Sequence, residues 1–189
     1  QYLEGMYLAG AKPYFDILFA NAYGFAFPPS DPPRPDRLNF QRVVLLRQVM
    51  ERNGDSDKPM WFNEFGWNAA PETFAPSDLP WARVTEQVQS QYTIDAIDYA
   101  RTHWNWAGVF NIWYFRQTGD IFQEDRADYY FRMVDPRFTP RPLYNAVKQA
   151  TAKPYVASPG TYAVTDPAAS NSGSWSPILA SAAIGGVML

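Results

Sequence analysis

Short apolar runs of strand length alternate with amphipathic stretches of helix length along the first 153 residues, and this alternation limits the choice of fold. The strand-like runs cover residues 14–23, 60–66 and 107–115, and each of them is apolar on both faces. Strands that are buried on both faces belong to parallel sheets covered by helices. The pattern therefore predicts an α/β fold with three parallel strands.

Helices are predicted before, between and after these runs. Residues 2–9 are expected to form the end of one helix. Asn39 is expected to cap a second helix, in which apolar residues recur at helical spacing. A third helix carries one apolar stripe over residues 84–100. A last helix is expected to begin at Pro140, because proline is favoured in the first turn of a helix. The order is one helix followed by three βα units, so we predict an α/β domain that is present only in part.

Composition excludes several kinds of chemistry. The chain has no cysteine and one histidine, which excludes a disulfide scaffold and a cysteine nucleophile and leaves little room for a histidine metal site or a serine triad. His103 is itself expected on the surface at a helix end. A net charge of −3 argues against nucleic acid as a partner. No glycine-rich phosphate loop is present, so no cofactor is predicted, and carboxylates, amides and aromatic rings remain.

The composition changes after residue 153. Residues 154–177 are rich in proline, serine and glycine and predict a linker within a disordered tail. Residues 178–189 form an apolar segment that is shorter than the roughly 18 residues of a membrane span. We interpret it as the start of a truncated membrane anchor, which implies a secreted or cell-surface protein, with a loosely ordered tail as the alternative. Because the chain opens inside a helix, we interpret it as part of a longer protein.

Polar and aromatic side chains gather at the carboxyl ends of the predicted strands, where parallel α/β folds place reacting groups. Side chains alternate along a strand, so Asn21 and Tyr23 share one face of the first strand. Glu64 ends the second strand and is expected to share its face with Met60 and Phe62. The other candidates at these ends are Asn63, Trp67, Asn111 and Trp113.

Glu64 is the main candidate for chemistry. A carboxylate in an apolar strand costs free energy unless donors satisfy it, and donors aimed at its charged form would keep it ionised, as a nucleophile must be. The alternative is that Glu64 lies just past the strand and pairs with an arginine. Tyr23 either donates to Glu64 across neighbouring strands or packs in the core.

The other candidates also allow two interpretations each. Trp113 either stacks on a sugar ring or fills the core. The amides of Asn21 and Asn63 either recognise hydroxyl groups or cap loop backbone. The loop after the third strand carries acidic residues that either line a subsite or are solvated, namely Asp120, Glu124, Asp125 and Asp128.

Four segments of the sequence resemble a known group of enzymes. They are AGAKPYFDILFANAYG (9–24), KPMWFNEFGW (58–67), AGVFNIWYF (107–115) and FRMVDPRFTPRPLYNAVKQ (131–149). In this order they resemble strands 6, 7 and 8 and the final helix of a clan A glycoside hydrolase, which is a (β/α)8 TIM barrel. The resemblance covers residues 1–152 and is most specific at strand 7. It implies that the chain is the last three βα units of such a barrel.

The resemblance also implies roles for residues. Glu64 would be the nucleophile, Tyr23 its hydrogen-bonding partner and Trp113 the platform under the sugar, with Asn21, Asn63 and Trp67 among the substrate-binding residues. Asn21 stands where the family often has histidine, and Asn63 where it often has threonine. The acid/base would follow an asparagine at the end of strand 4, before residue 1.

The implied activity is that of a retaining β-glycosidase acting on the O-glycosidic bonds of an oligo- or polysaccharide. Retaining hydrolysis needs two carboxyl groups about 5–5.5 Å apart, and this chain supplies one, so the chain alone is expected to be inactive. One alternative is a barrel that binds glycans or is structural and has lost its chemistry. Another is a free-standing half barrel that dimerises through its strand edges.

Overall fold

A computed structural model describes residues 2–118 and 122–152. It confirms the predicted order of one helix followed by three strand–helix pairs, and the strands form one parallel sheet in the order β1-β2-β3. The helices and strands are α1 (Tyr2–Leu8), β1 (Leu18–Tyr23), α2 (Val43–Arg52), β2 (Met60–Gly66), α3 (Glu86–His103), β3 (Ala107–Ile112) and α4 (Pro142–Thr151).

The main core lies on the side of the sheet that the helices cover. Phe62 in the central strand is fully buried, and its ring stacks on Phe110 of β3 at 4.2 Å and on Trp104 at 5.8 Å. Phe65 is also fully buried and meets Phe110 edge-on at 5.4 Å. Met50 of α2 is fully buried in the same cluster. This aromatic layer fixes the orientation of the central strand.

A β-bulge interrupts the pairing of β1 with β2. Ala20 pairs with Phe62, but the next residue, Asn21, pairs with Glu64, so Asn63 is an extra residue without a partner on β1. A bulge of this kind shifts the alternation of side chains by one position. The prediction that Glu64 shares a face with Phe62 is therefore wrong, since its carboxylate meets Asn21 on the other face of the sheet.

The strands are shorter than their apolar runs suggested. Lys12–Tyr14 forms a 3-10 turn, and β1 begins only at Leu18. The third strand ends at Ile112 instead of residue 115. Proline at position 13 favours the 3-10 turn because its ring fixes φ and removes a backbone donor.

Two predicted helix starts are also wrong. Asn39 precedes a 3-10 turn, but its Oδ1 accepts no capping hydrogen bond. Its Nδ2 donates to the backbone oxygens of Asp31 and Pro32 in the proline-rich loop, and these bonds orient the side chain. The last helix begins at Pro142, while Pro140 forms a bridge with Val134. In both places a contact from outside the helix determines the local structure.

The predicted linker over residues 154–177, the apolar segment over 178–189 and the predicted disordered tail lie outside the described residues. Within residues 2–118 and 122–152, the helices are too short or too polar to cross a membrane.

Candidate functional site

Three predicted site residues meet at the carboxyl ends of β1 and β2. The phenol of Tyr23 donates a hydrogen bond to Glu64 Oε2 at 2.7 Å, and Asn21 Nδ2 donates to the same oxygen at 3.2 Å. Alternation along β1 places the two donors on one face, and the bulge at Asn63 brings the carboxylate to that face. Tyr23 also packs, so both of its predicted interpretations describe this structure.

The two oxygens of Glu64 have different surroundings. Oε2 accepts both hydrogen bonds, whereas Oε1 accepts none from the described residues. Burial raises the pKa of Tyr23 above its ordinary value, and the hydrogen bond and charge of Glu64 raise it further. The phenol therefore keeps its proton at neutral pH and remains a donor. The carboxylate is held through one oxygen and has the other available.

An aromatic cluster lies beside Tyr23 and includes two residues that the sequence did not single out. The ring of Tyr23 meets Phe131 edge-on at 5.4 Å and lies 6.4 Å from Trp81. Trp81 and Phe131 are perpendicular at 5.6 Å. Trp81 stands in the loop that follows the strand of Glu64, and this position was the signal that could have found it.

Trp113 lies just after β3, beside the same end of β2. Its indole side chain is 39% exposed, and its backbone N–H donates to the carbonyl of Phe65 at 2.9 Å. Its peptide bond to Tyr114 is cis. A Cβ on Gly66, which has a φ of +154°, would approach the Trp113 carbonyl to 3.2 Å, so glycine allows this close contact.

Trp67 is placed differently from Trp113. Only 1% of it is exposed, and its indole N–H donates to the carbonyl of Phe27 at 2.8 Å. The indole lies so close to Gly24 that no Cβ would fit there. This burial does not fit the predicted contact of Trp67 with substrate, and the residue instead holds the turn after β1 against the end of β2.

The remaining candidates lie away from the hydrogen bonds of Glu64. Asn63 is exposed at the bulge, and His103 is exposed at the end of α3, where it stacks on Tyr99. Asp128 pairs with Arg126 at 2.6 Å. Glu124, Asp125 and Asn111 are exposed, and Asp120 lies outside the described residues. Residues 2–118 and 122–152 contain no group of acidic or histidine side chains that could hold a metal ion.

Two buried amides join the loops that surround the site. Gln89 on α3 donates from Nε2 to the carbonyl of Trp67 at 2.7 Å and to that of Tyr130 at 3.0 Å. Asn68 donates to the carbonyl of Ala127 at 2.7 Å. Buried amides are stable when such partners satisfy them. The loop after β2 and the segment after β3 are therefore fixed to each other.

Comparison with known proteins gives matches among solved structures only. No family model matches the chain, and no curated protein matches it. A family 39 glycoside hydrolase from the gut symbiont Bacteroides cellulosilyticus WH2 is 23% identical with a TM-score of 0.55, over 80% of this chain and 30% of that one. A GH2 β-galacturonidase from Eisenbergiella tayi is 19% identical with a TM-score of 0.50, over 78% of this chain and 25% of that one.

The fold is similar to part of a glycoside hydrolase. This likeness agrees with the relationship that the strand-end motifs predicted, and at these identities it concerns the fold alone. The chain spans less than a third of the length of either structure.

Proposed function

We propose that this chain is the nucleophile-bearing part of a retaining β-glycosidase that cleaves O-glycosidic bonds in an oligo- or polysaccharide. The observation that carries the proposal is the asymmetry of Glu64, whose Oε2 is held by Tyr23 and Asn21 while Oε1 accepts no hydrogen bond from the described residues. A nucleophilic carboxylate needs one oxygen oriented by the protein and one free to attack. The fold similarity to glycoside hydrolases supports the same proposal.

In the proposed reaction, Glu64 Oε1 attacks the anomeric carbon of the sugar. The bond from that carbon to the leaving oxygen breaks, and a carboxylic acid elsewhere in the protein protonates this oxygen. The product is a glycosyl ester of Glu64 in which Oε2 is the carbonyl oxygen. Water then attacks the same carbon, gives its proton to the second carboxylate and releases Glu64.

The second carboxyl group belongs, in this proposal, to the part of the barrel that precedes residue 1. It would lie about 5–5.5 Å from Glu64, the separation of a retaining pair. Trp113 would stack under the sugar at the cleavage point, since its indole is 39% exposed beside β2. The amides of Asn21 and Asn63 would contact sugar hydroxyl groups.

Covalent trapping tests the proposal in the full-length protein. An activated 2-deoxy-2-fluoro glycoside forms the glycosyl ester but slows its hydrolysis, so digestion and mass spectrometry locate the ester. We expect the label on the peptide that contains Glu64 and no label on that peptide in the Glu64→Gln variant. Label on another carboxylate, or activity retained by Glu64→Gln, would contradict the assignment.

Calorimetry separates the enzyme from the alternative of a barrel without chemistry. Wild-type protein is titrated with an oligosaccharide, and the same mixture is assayed for released reducing ends. We expect release of reducing ends. Binding without release by the full-length protein would favour the non-catalytic alternative.

A further inference from the structure

The loop after β2 presents a tryptophan to the site through a well-anchored turn. Leu79 is buried, and its carbonyl accepts a hydrogen bond from the backbone N–H of Ala82 at 2.9 Å. Ala82 has a φ of +55°, in the left-handed region, which costs a non-glycine residue about 1 kcal/mol. Backbone outliers of this kind cluster at functional sites. Two residues, Pro80 and Trp81, lie between these ends, so the turn fixes the direction of Trp81.

The indole of Trp81 has a packed part and an open part. It meets the ring of Phe131 at 90° and 5.6 Å, and Phe131 is itself 1% exposed. Trp81 remains partly exposed. Contact with a buried ring limits the motion of the indole, so its exposed surface has a defined orientation. A rigid, partly open aromatic surface is typical of the walls of ligand sites.

Tyr23 connects this surface to the reacting carboxylate. Its hydroxyl lies 2.7 Å from Glu64 Oε2, and its ring lies 6.4 Å from the indole of Trp81. Glu64 and Trp81 are therefore both neighbours of the same tyrosine, one at its hydroxyl and the other beside its ring. A sugar unit with its anomeric carbon at Glu64 Oε1, or the unit joined to it, is large enough to reach the indole.

We propose that Trp81 is a sugar-contacting residue and forms an aromatic wall of the site on the side of Tyr23. The indole would stack against the C–H face of a pyranose ring, a contact that aromatic rings make through their electron-rich faces. This inference rests on the proposed function and adds a second aromatic surface to that of Trp113. Trp81 contributes to binding of substrate, while Tyr23 and Asn21 act on the carboxylate.

Steady-state kinetics of the full-length protein test the proposal. The substrate is whichever 4-nitrophenyl β-glycoside the wild type cleaves best among the glucoside, galactoside and xyloside. Trp81→Leu keeps apolar packing against Phe131 but removes the indole, and we expect KM to rise about five- to tenfold, the scale of one aromatic contact, with kcat nearly unchanged. Trp81→Phe is expected to show a smaller rise. Tyr14→Leu is the matched control, because Tyr14 is 86% exposed and precedes the amino end of β1.

Protection from oxidation gives a second test that does not depend on the folding of a variant at position 81. N-bromosuccinimide oxidises exposed indoles, and mass spectrometry follows the peptide that contains Trp81. In Glu64→Gln protein, saturating glycoside is expected to slow oxidation of Trp81 several-fold. An oxidation rate that glycoside leaves unchanged would overturn the proposal.

The kinetic outcomes also separate this inference from the proposed function. If Trp81→Leu lowers kcat, leaves KM unchanged and shifts the pH profile, Trp81 only supports Tyr23 and the proposal is wrong. An unchanged KM and kcat would contradict it as well. Activity retained by Glu64→Gln would instead overturn the proposed function, whatever the result at Trp81.

Discussion

Tyr23 and Glu64 lie on adjacent parallel strands, and the phenol of one donates a 2.7 Å hydrogen bond to the carboxylate of the other. The bond depends on the bulge at Asn63, because an uninterrupted strand would turn the carboxylate toward the helices. It also depends on Phe131, whose ring meets that of Tyr23 edge-on at 5.4 Å. Strand register and aromatic packing together position one oxygen of Glu64.

Tyr23→Phe is expected to lower kcat of the full-length protein about 100-fold, the scale of losing one aligned donor in an active site. KM should change little, since the phenol contacts Glu64 directly and the ring stays in place. Steady-state kinetics measure both constants. Asn21→Ala should have a smaller effect because its bond to Glu64 Oε2 is longer, at 3.2 Å. A larger effect of Asn21→Ala would reverse the order of importance that these distances indicate.

Deletion of Asn63 is expected to prevent stable folding. Without the extra residue, Glu64 would take the face of Phe62, and a carboxylate without partners would enter the aromatic core at a cost of several kcal/mol. Asn63→Ala keeps the number of residues, so its free energy of unfolding is expected to lie within about 1 kcal/mol of the wild-type value. Chemical denaturation of the two variants makes the comparison. A deletion variant as stable as Asn63→Ala would show that the bulge is dispensable.

Gly24→Ala is expected to destabilise the protein by about 2 kcal/mol, the cost of overpacking a filled site. The new Cβ would occupy space held by the indole of Trp67. Trp67→Phe removes the indole atoms that the new Cβ would meet. The double variant Gly24→Ala/Trp67→Phe should therefore lose less unfolding free energy than the sum of the losses in the two single variants. A double-mutant cycle of unfolding free energies measures this coupling. Strict additivity would argue against the contact.

Asp55 links α1 to the turn before β2, and its environment predicts that the stability of the folded protein decreases in acid. Burial opposes its ionisation, but the hydrogen bonds from Tyr7 and Lys58, together with the positive charges of Lys58 and Lys12, outweigh burial and lower the pKa of Asp55 below its ordinary value. A lowered folded-state pKa contributes stability that is present above about pH 4 and is lost as the pH falls through the folded value. Wild-type unfolding free energy should therefore decrease below pH 4.

Asp55→Asn tests the source of this pH dependence. The variant should be less stable than the wild type at pH 7 by about 2 kcal/mol, since Lys58 loses a charged partner, and its stability should vary less with pH below 4. Denaturation series at several pH values give both quantities. Glu51→Gln serves as the control, because the Glu51 side chain is about half exposed and pairs with Arg47 on the same helix. Equal acid sensitivity in wild type and Asp55→Asn would locate the titrating group elsewhere.

The order of helices and strands could be predicted because it follows from local patterns. The Tyr23–Glu64 hydrogen bond was one of two interpretations of Tyr23, and the resemblance to a known enzyme group favoured it. Apolar runs marked the strands, and the strand ends marked where polar groups gather. The bulge was missed because alternation was applied without interruption. A signal for it was present, since Phe62 and Phe65 are both apolar but stand three residues apart, an odd spacing that regular alternation does not place on one face.

Other features could not be predicted because partners distant in the sequence determine them. Asn39 had a suitable position for a cap, yet its Nδ2 donates to carbonyls of the proline-rich loop and its Oδ1 accepts no capping hydrogen bond. The place of Trp81 in the loop after β2 was visible in the sequence, but its orientation depends on the rings of Tyr23 and Phe131, which lie 50 or more positions away along the chain. Local propensity has no information about such contacts, so these residues required the structure.

The two hydrogen bonds from Gln89 have a consequence for altering this site. One amide on α3 binds the carbonyl of Trp67 and that of Tyr130, so the loops after β2 and β3 form one unit with a helix behind them. A graft or insertion that changes the length of one loop will displace the other. Libraries aimed at new specificities should therefore vary both loops together and keep Gln89 as their common anchor.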